Sequence, residues 1–171
     1  MVANEIRTIL KKTCELLNKH HVDYMIIGGT AVGIYGYQRM SGGGYPGVPE
    51  LTYDIDFWYK PTLSNYHNLV NSLNEMGINT EKLENIVFNP NKAFLRIPHE
   101  GFKTEFLPKL DGLESFSESK KSSKIIHLDG NDLPVISYGD LIKNKQAVNR
   151  EIDRIDIQEL GKINKNKGRS V

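Results

Sequence analysis

The chain of 171 residues has a single cysteine, Cys14, so no internal disulfide framework can form, and the expected setting is a reducing cytoplasm. Long apolar runs are also missing. The longest, around Tyr24 to Ile27, falls far short of the roughly 20 residues a membrane span needs, and no apolar leader with a cleavage site stands at the N-terminus. No membrane partner is therefore expected. Charge of one sign is absent as well: the net charge is +1, so an acidic ligand must be held by a local cluster of groups rather than by a global field. No Walker sequence occurs, and Gly28-Gly29-x-x-x-Gly33 does not match the dinucleotide fingerprint. The five histidines lack metal-ligand spacing, and Asp129-Gly130-Asn131-Asp132 is too short for a calcium loop and lacks its closing glutamate.

What remains is a globular balance, 39% hydrophobic and 25% charged, in a length that suits one domain. The pattern predicts a helix over 4–20 capped by Asn4, a buried strand over 24–27, and a brief helix over 30–35. Residues 38–50 hold four glycines and two prolines and read as a flexible loop, one use of which is a flap beside a site. A strand over 51–59 and a helix over 63–76 follow. Two strand pairs come next, 93–97 with 102–107 and 124–128 with 133–136, the second joined by the hairpin chemistry of Asp129-Gly130-Asn131-Asp132. Ser137-x-x-Asp140 has capping-box spacing and opens a helical region reaching about residue 163, with a basic, frayed tail over 164–171. Interspersed helices and strands with late hairpins give an α+β class around one mixed sheet.

Two patterns carry chemistry. On the strand Thr52–Tyr59, Tyr53, Ile55, Phe57 and Tyr59 share one face. Asp54 and Asp56 share the other, their Cα atoms roughly 7 Å apart. Like charges that close need a cation or hydrogen-bond donors, and a hard divalent ion such as Mg²⁺ takes oxygen ligands of this kind. The other reading is a solvated outer face of an edge strand. Gly28-Gly29-Thr30, between a buried strand and a helix, lets the backbone approach a ligand closely and suits phosphate, with Thr30 adding a hydroxyl. The other reading there is a tight strand–helix turn without a ligand. Leu141, Val148, Ile152 and Ile155 form an apolar helical stripe in which Lys145 falls, provided that one unbroken helix spans them. An inward lysine must meet a phosphate or a carboxylate, Asp153 and Asp156 being the nearest choices. Arg150 and Asp153, three apart, read as a surface or interhelix pair.

Taken in order, buried strand, Gly28-Gly29-Thr30, short helix, variable loop and Thr52-Tyr53-Asp54-Ile55-Asp56-Phe57 resemble the nucleotidyltransferase superfamily. The nearest group in motif is the minimal bacterial nucleotidyltransferases related to AbiEii-type toxins of toxin–antitoxin systems. The resemblance covers about residues 23–160. It implies a single domain with a mixed sheet packed by helices, and transfer of a nucleoside monophosphate from an NTP to an acceptor hydroxyl on RNA, protein or a small molecule. Gly28, Gly29, Thr30 and Lys145 would then hold the nucleotide. Asp54, Asp56 and Glu105 would be the catalytic carboxylates and would hold Mg²⁺ (or Mn²⁺), with two ions stabilising the entering and leaving oxygens. Glu105 stands in Phe102-Lys103-Thr104-Glu105-Phe106 where the family more often has aspartate, and an exposed glutamate on a hairpin is the alternative. The Ser137-x-x-Asp140-Leu141-Ile142-x-x-Lys145 and Arg150-x-x-Asp153-x-x-Asp156 stretches match as well. The second function the resemblance allows is a non-catalytic binding or regulatory component of a toxin–antitoxin pair, with a protein partner encoded nearby.

Overall fold

A computed structural model describes residues 2–39 and 53–168, with side chains over 6–39 and 54–168. The Gly-rich loop expected over 38–50 therefore lies largely outside the described residues.

Strands β1 (Tyr24–Ile27), β2 (Tyr53–Tyr59), β3 (Leu95–His99), β4 (Phe102–Leu107), β5 (Lys124–Leu128) and β6 (Asn131–Val135) form one mixed sheet in the order β3-β4-β2-β1-β6-β5. β2 runs antiparallel to β1 and parallel to β4, while β1 runs parallel to β6. The α+β class is as read from the sequence. β1 is buried at every position because it sits between two neighbours near the middle of the sheet, which accounts for its unbroken apolar run.

Alternation along β2 builds the core. Ile55, Phe57 and Tyr59 are fully buried. Phe57 stacks on Phe106 of β4 at 5.0 Å and meets Tyr24 of β1 edge-on at 5.6 Å. Tyr59 faces Tyr66 of helix α3 (Leu63–Glu75), whose first turn is capped by the Thr62 hydroxyl accepting from the Asn65 amide. Trp58, on the opposite face, is covered at the far end of β2 by Phe116 and donates to the Pro108 carbonyl at 3.2 Å. Helix α1 (Val2–Lys19) packs on α3 and buries Cys14 and Leu17. Its start at Val2 places Asn4 inside the helix rather than at its cap.

Several boundaries differ from the sequence reading for local reasons. β3 begins two residues later than expected and contains Pro98, which an edge strand tolerates because no neighbour needs its missing N–H. Its turn shrinks to Glu100-Gly101, with Gly101 at φ 79°. The β5–β6 turn is Asp129-Gly130, with φ of 49° and 83°, the left-handed pair that a two-residue hairpin favours. Two short helices, α4 (Glu81–Glu84) and α5 (Phe116–Ser122), were not expected, although Ser115-x-x-Glu118 is a capping signature and the Ser115 hydroxyl does accept from the Glu118 amide.

The C-terminal region departs most. Helix α6 (Tyr138–Val148), capped by Ser137, ends at Asn149 in the left-handed conformation, φ 54°. Helix α7 (Glu151–Lys167) starts afresh and continues past the expected end at 163. The stripe drawn across one helix is therefore broken, and Val148 and Ile155 are exposed. The buried face of α7 is instead Asp153, Asp156 and Leu160. Among the described residues no helix is long and apolar enough to cross a membrane.

Candidate active site

Helix α2 (Gly28–Ile34) springs directly from the end of β1, starting at Gly28 rather than at Thr30. Gly28 has φ +60°, and a Cβ built on it would lie 2.1 Å from Asp56 Oδ2 and 2.9 Å from Asp56 Cβ. Only glycine fits there on both counts: the backbone conformation is left-handed and the Asp56 carboxylate fills the space a side chain would need. Gly28→Ala is expected to destabilise the fold by about 2–3 kcal/mol. It should also displace Asp56. Urea titration checks the first effect, and an unchanged midpoint would contradict the close approach.

Thr30 does not point its hydroxyl away from the protein but donates it to the Asp54 carbonyl at 3.2 Å, so it ties α2 to β2. Gly29 follows Gly28 in the first turn of α2.

Three acidic residues meet across the two parallel strands. In the β2–β4 register Asp56 stands opposite Glu105, and Asp54 opposite Lys103. Glu105 is on the adjacent strand, as the family resemblance implied. It is not an exposed hairpin residue, its side chain being only 14% accessible. Cations have entered the group. Lys103 Nζ lies 3.0 Å from Glu105 Oε1 and 3.6 Å from Asp54 Oδ2, and Arg96 Nε of β3 donates to the same Glu105 oxygen at 2.7 Å. Neither Lys103 nor Arg96 was singled out in the sequence. Lys103 shares a strand face with Glu105 by simple alternation, but the register that sets it against Asp54 is a tertiary fact.

The electrostatics follow from this geometry. Burial pushes Asp56 up to about 7, and the negative charges of Glu105 and Asp54 act in the same direction against Lys103 and Lys145. Burial also raises Asp54, opposed by Lys103 and reinforced by Glu105. Asp54 Oδ1 is buried and accepts no hydrogen bond. An orphaned carboxylate oxygen is costly unless something else satisfies it, and a hard cation does so. As the side chains stand, no three His, Cys, Asp or Glu groups among the described residues are gathered tightly enough to hold a metal ion, and Lys103 and Arg96 engage Glu105. Asp54 and Asp56 are the pair that fits one.

Lys145 is buried and bonded to both carboxylates foreseen for it, Asp153 at 3.0 Å and Asp156 at 2.8 Å. It is buried for a different reason from the broken apolar stripe: the inward face of α7 is acidic. Arg39 Nη2 donates to Asp156 at 2.6 Å, and Arg150 folds over Asp153, its backbone and guanidinium both donating to the carboxylate. Burial raises Asp153, but the bonds from Arg150 and Lys145 prevail and hold it below the usual carboxylate range. This cluster adjoins the site, since the charges of Lys145 and Arg150 are felt at Asp56. Gly28, Thr30, Asp54, Asp56 and Glu105 are thus brought together, and Lys145 stands behind them with its charge already engaged.

No protein-family model and no curated protein matches the chain. Solved structures do. One is a Thermotoga maritima protein described as a candidate nucleotidyltransferase, 17% identical, with a TM-score of 0.56 over 98% of this chain and 96% of that one. Another is the lincosamide antibiotic adenylyltransferase LnuA bound to lincomycin, 16% identical, with a TM-score of 0.57 over 94% of this chain and 96% of its own. The chain shares its mixed-sheet fold with these two proteins.

Proposed function

We propose that the protein transfers a nucleoside monophosphate from an NTP to an acceptor hydroxyl and releases pyrophosphate, using Mg²⁺ or Mn²⁺ held by Asp54 and Asp56. The observation that carries this reading is the contact between Gly28 and Asp56 beside the unsatisfied Asp54 Oδ1. A side-chain-free turn pressed against paired carboxylates leaves backbone to meet phosphates at the same point where a cation is wanted.

In this proposal the backbone of Gly28 and Gly29 holds the triphosphate, while Thr30 fixes the turn to β2. When bound, the divalent ion neutralises the charge gathering on the phosphates. Glu105 accepts the proton of the acceptor hydroxyl as its oxygen bonds to the α-phosphorus and the bond to pyrophosphate breaks. Arg96 and Lys103 orient Glu105 for that role through one of its oxygens. Lys145 adds positive potential from its buried place behind Asp56 rather than by contact. LnuA is an antibiotic adenylyltransferase with lincomycin bound, so a small hydroxylated molecule stands beside RNA and protein as the acceptor class. Incubation with each labelled NTP, Mg²⁺ or Mn²⁺ and candidate acceptors tests the reading. Label transfer that is lost in Asp54→Ala and Asp56→Ala supports it. Absence of both transfer and NTP binding, with metal affinity unchanged in the two variants, overturns it.

A second reading is favoured by Lys103, an internal cation already bridging Asp54 and Glu105. In it the chain is a non-catalytic component of an AbiEii-like toxin–antitoxin pair, acting through a protein encoded nearby. It expects no metal-dependent thermal stabilisation by any NTP, whereas the enzyme reading expects one.

A further inference from the structure

We infer that Lys103 is a built-in counter-ion that takes the place of a second metal, so that the site binds one divalent ion and not two. The inference rests on the metal-dependent reading above and narrows it. Its basis is a division of oxygens. Lys103 Nζ approaches Asp54 Oδ2 and Glu105 Oε1, one carboxylate from each of two adjacent strands. Asp54 Oδ1, the other oxygen of the same carboxylate, is buried without a partner. One cation is thus in place at one oxygen of Asp54, and the unmet demand is at the other, on a carboxylate that shares its strand face with Asp56.

Two further observations hold Lys103 in this role. Its backbone is fixed opposite Asp54 in the parallel register, so the ammonium reaches the carboxylates from a strand and not from a loop. Arg96 binds the same Glu105 oxygen at 2.7 Å, which leaves Glu105 neutralised by two cations. A second hard ion at Glu105 would stand against both of these cations, and like charges at that range repel.

Charge counting agrees. Asp54, Asp56 and Glu105 supply three negative charges, and Lys103 and Arg96 supply two positive ones, leaving one negative charge. One divalent ion turns this into a single positive charge facing a triphosphate. Two would leave three positive charges in a half-buried site before the nucleotide arrives.

The test is Mn²⁺ titrated against the full chain, with the free ion followed by electron paramagnetic resonance. One ion per chain is expected for the wild type, two for Lys103→Ala and one again for Lys103→Arg. If Lys103→Ala does not fold, Lys103→Gln carries the same measurement. Two ions in the wild type overturn this inference and leave the proposed function standing. One ion in both the wild type and Lys103→Ala also overturns it, since removing the counter-ion would then open nothing. No bound ion in the wild type overturns it together with the metal reading of the function.

Discussion

At pH 8, Asp56→Asn is expected to lose nucleotide transfer and gain thermal stability together. On the proposed function the loss follows from removing a charged oxygen ligand at the reacting phosphates, an effect on the order of 10³-fold. The gain follows from linkage. Asp56 is pushed up to about 7, above the ordinary carboxylate value, so between the two values the folded chain binds more protons than the unfolded one. Asp56 is therefore compatible with full stability at low pH and costs stability as pH rises through about 7. The metal-free wild type should lose stability from about pH 4.5 to about pH 8 and level off above it, and Asp56→Asn should flatten that slope. The difference at pH 8 should be about 1–4 kcal/mol. Melting in chelator across this pH range, beside a transfer assay, checks both halves. A variant that melts lower than the wild type at pH 8, or keeps transfer within tenfold, contradicts the account.

The second large effect lies behind the site. Lys145→Met should destabilise the protein by roughly 3–5 kcal/mol, because it leaves Asp153 and Asp156 buried with one cation fewer. Asp156 is fully buried, and after the substitution Arg39 alone of the two cations bonded to it remains. The double variant Lys145→Met/Asp156→Asn should recover part of the loss, and a denaturant cycle on the four proteins measures the coupling. Additive losses would mean that the pair is not coupled. The cluster should also fail in acid. Asp153 is held below its ordinary range, so its contribution is present above the unfolded carboxylate value and disappears as pH falls through the folded one.

These two predictions differ in how far the sequence foretold them. Asp54, Asp56 and Gly28 were legible because strand alternation and glycine's backbone freedom are local properties, and the structure adds only that the two motifs touch. Glu105 was legible through family resemblance, and the β2–β4 register gave it its partner. Lys145 was singled out through a stripe that Asn149 interrupts, yet it is buried. The sequence pattern looks for apolar faces, and α7 buries two aspartates. Lys103, Arg96 and Arg39 were missed because a charged residue on a strand or at a loop edge carries no periodic signal. Their importance comes from neighbours distant in the chain. The helices α4 and α5 were missed because four and seven residues give too little period to read.

The position of β1 has a consequence for how the chain is made. Its second edge is covered only by β6, with Ile26 opposite Val135, while β2 covers the first. Synthesis therefore leaves the central strand's second edge open until β6, about 100 residues further on, has emerged, a long wait for an apolar strand. A fragment ending before residue 131 should pair that edge with other copies and aggregate. The β5–β6 hairpin thus shields an apolar strand edge that would otherwise stay open to other chains.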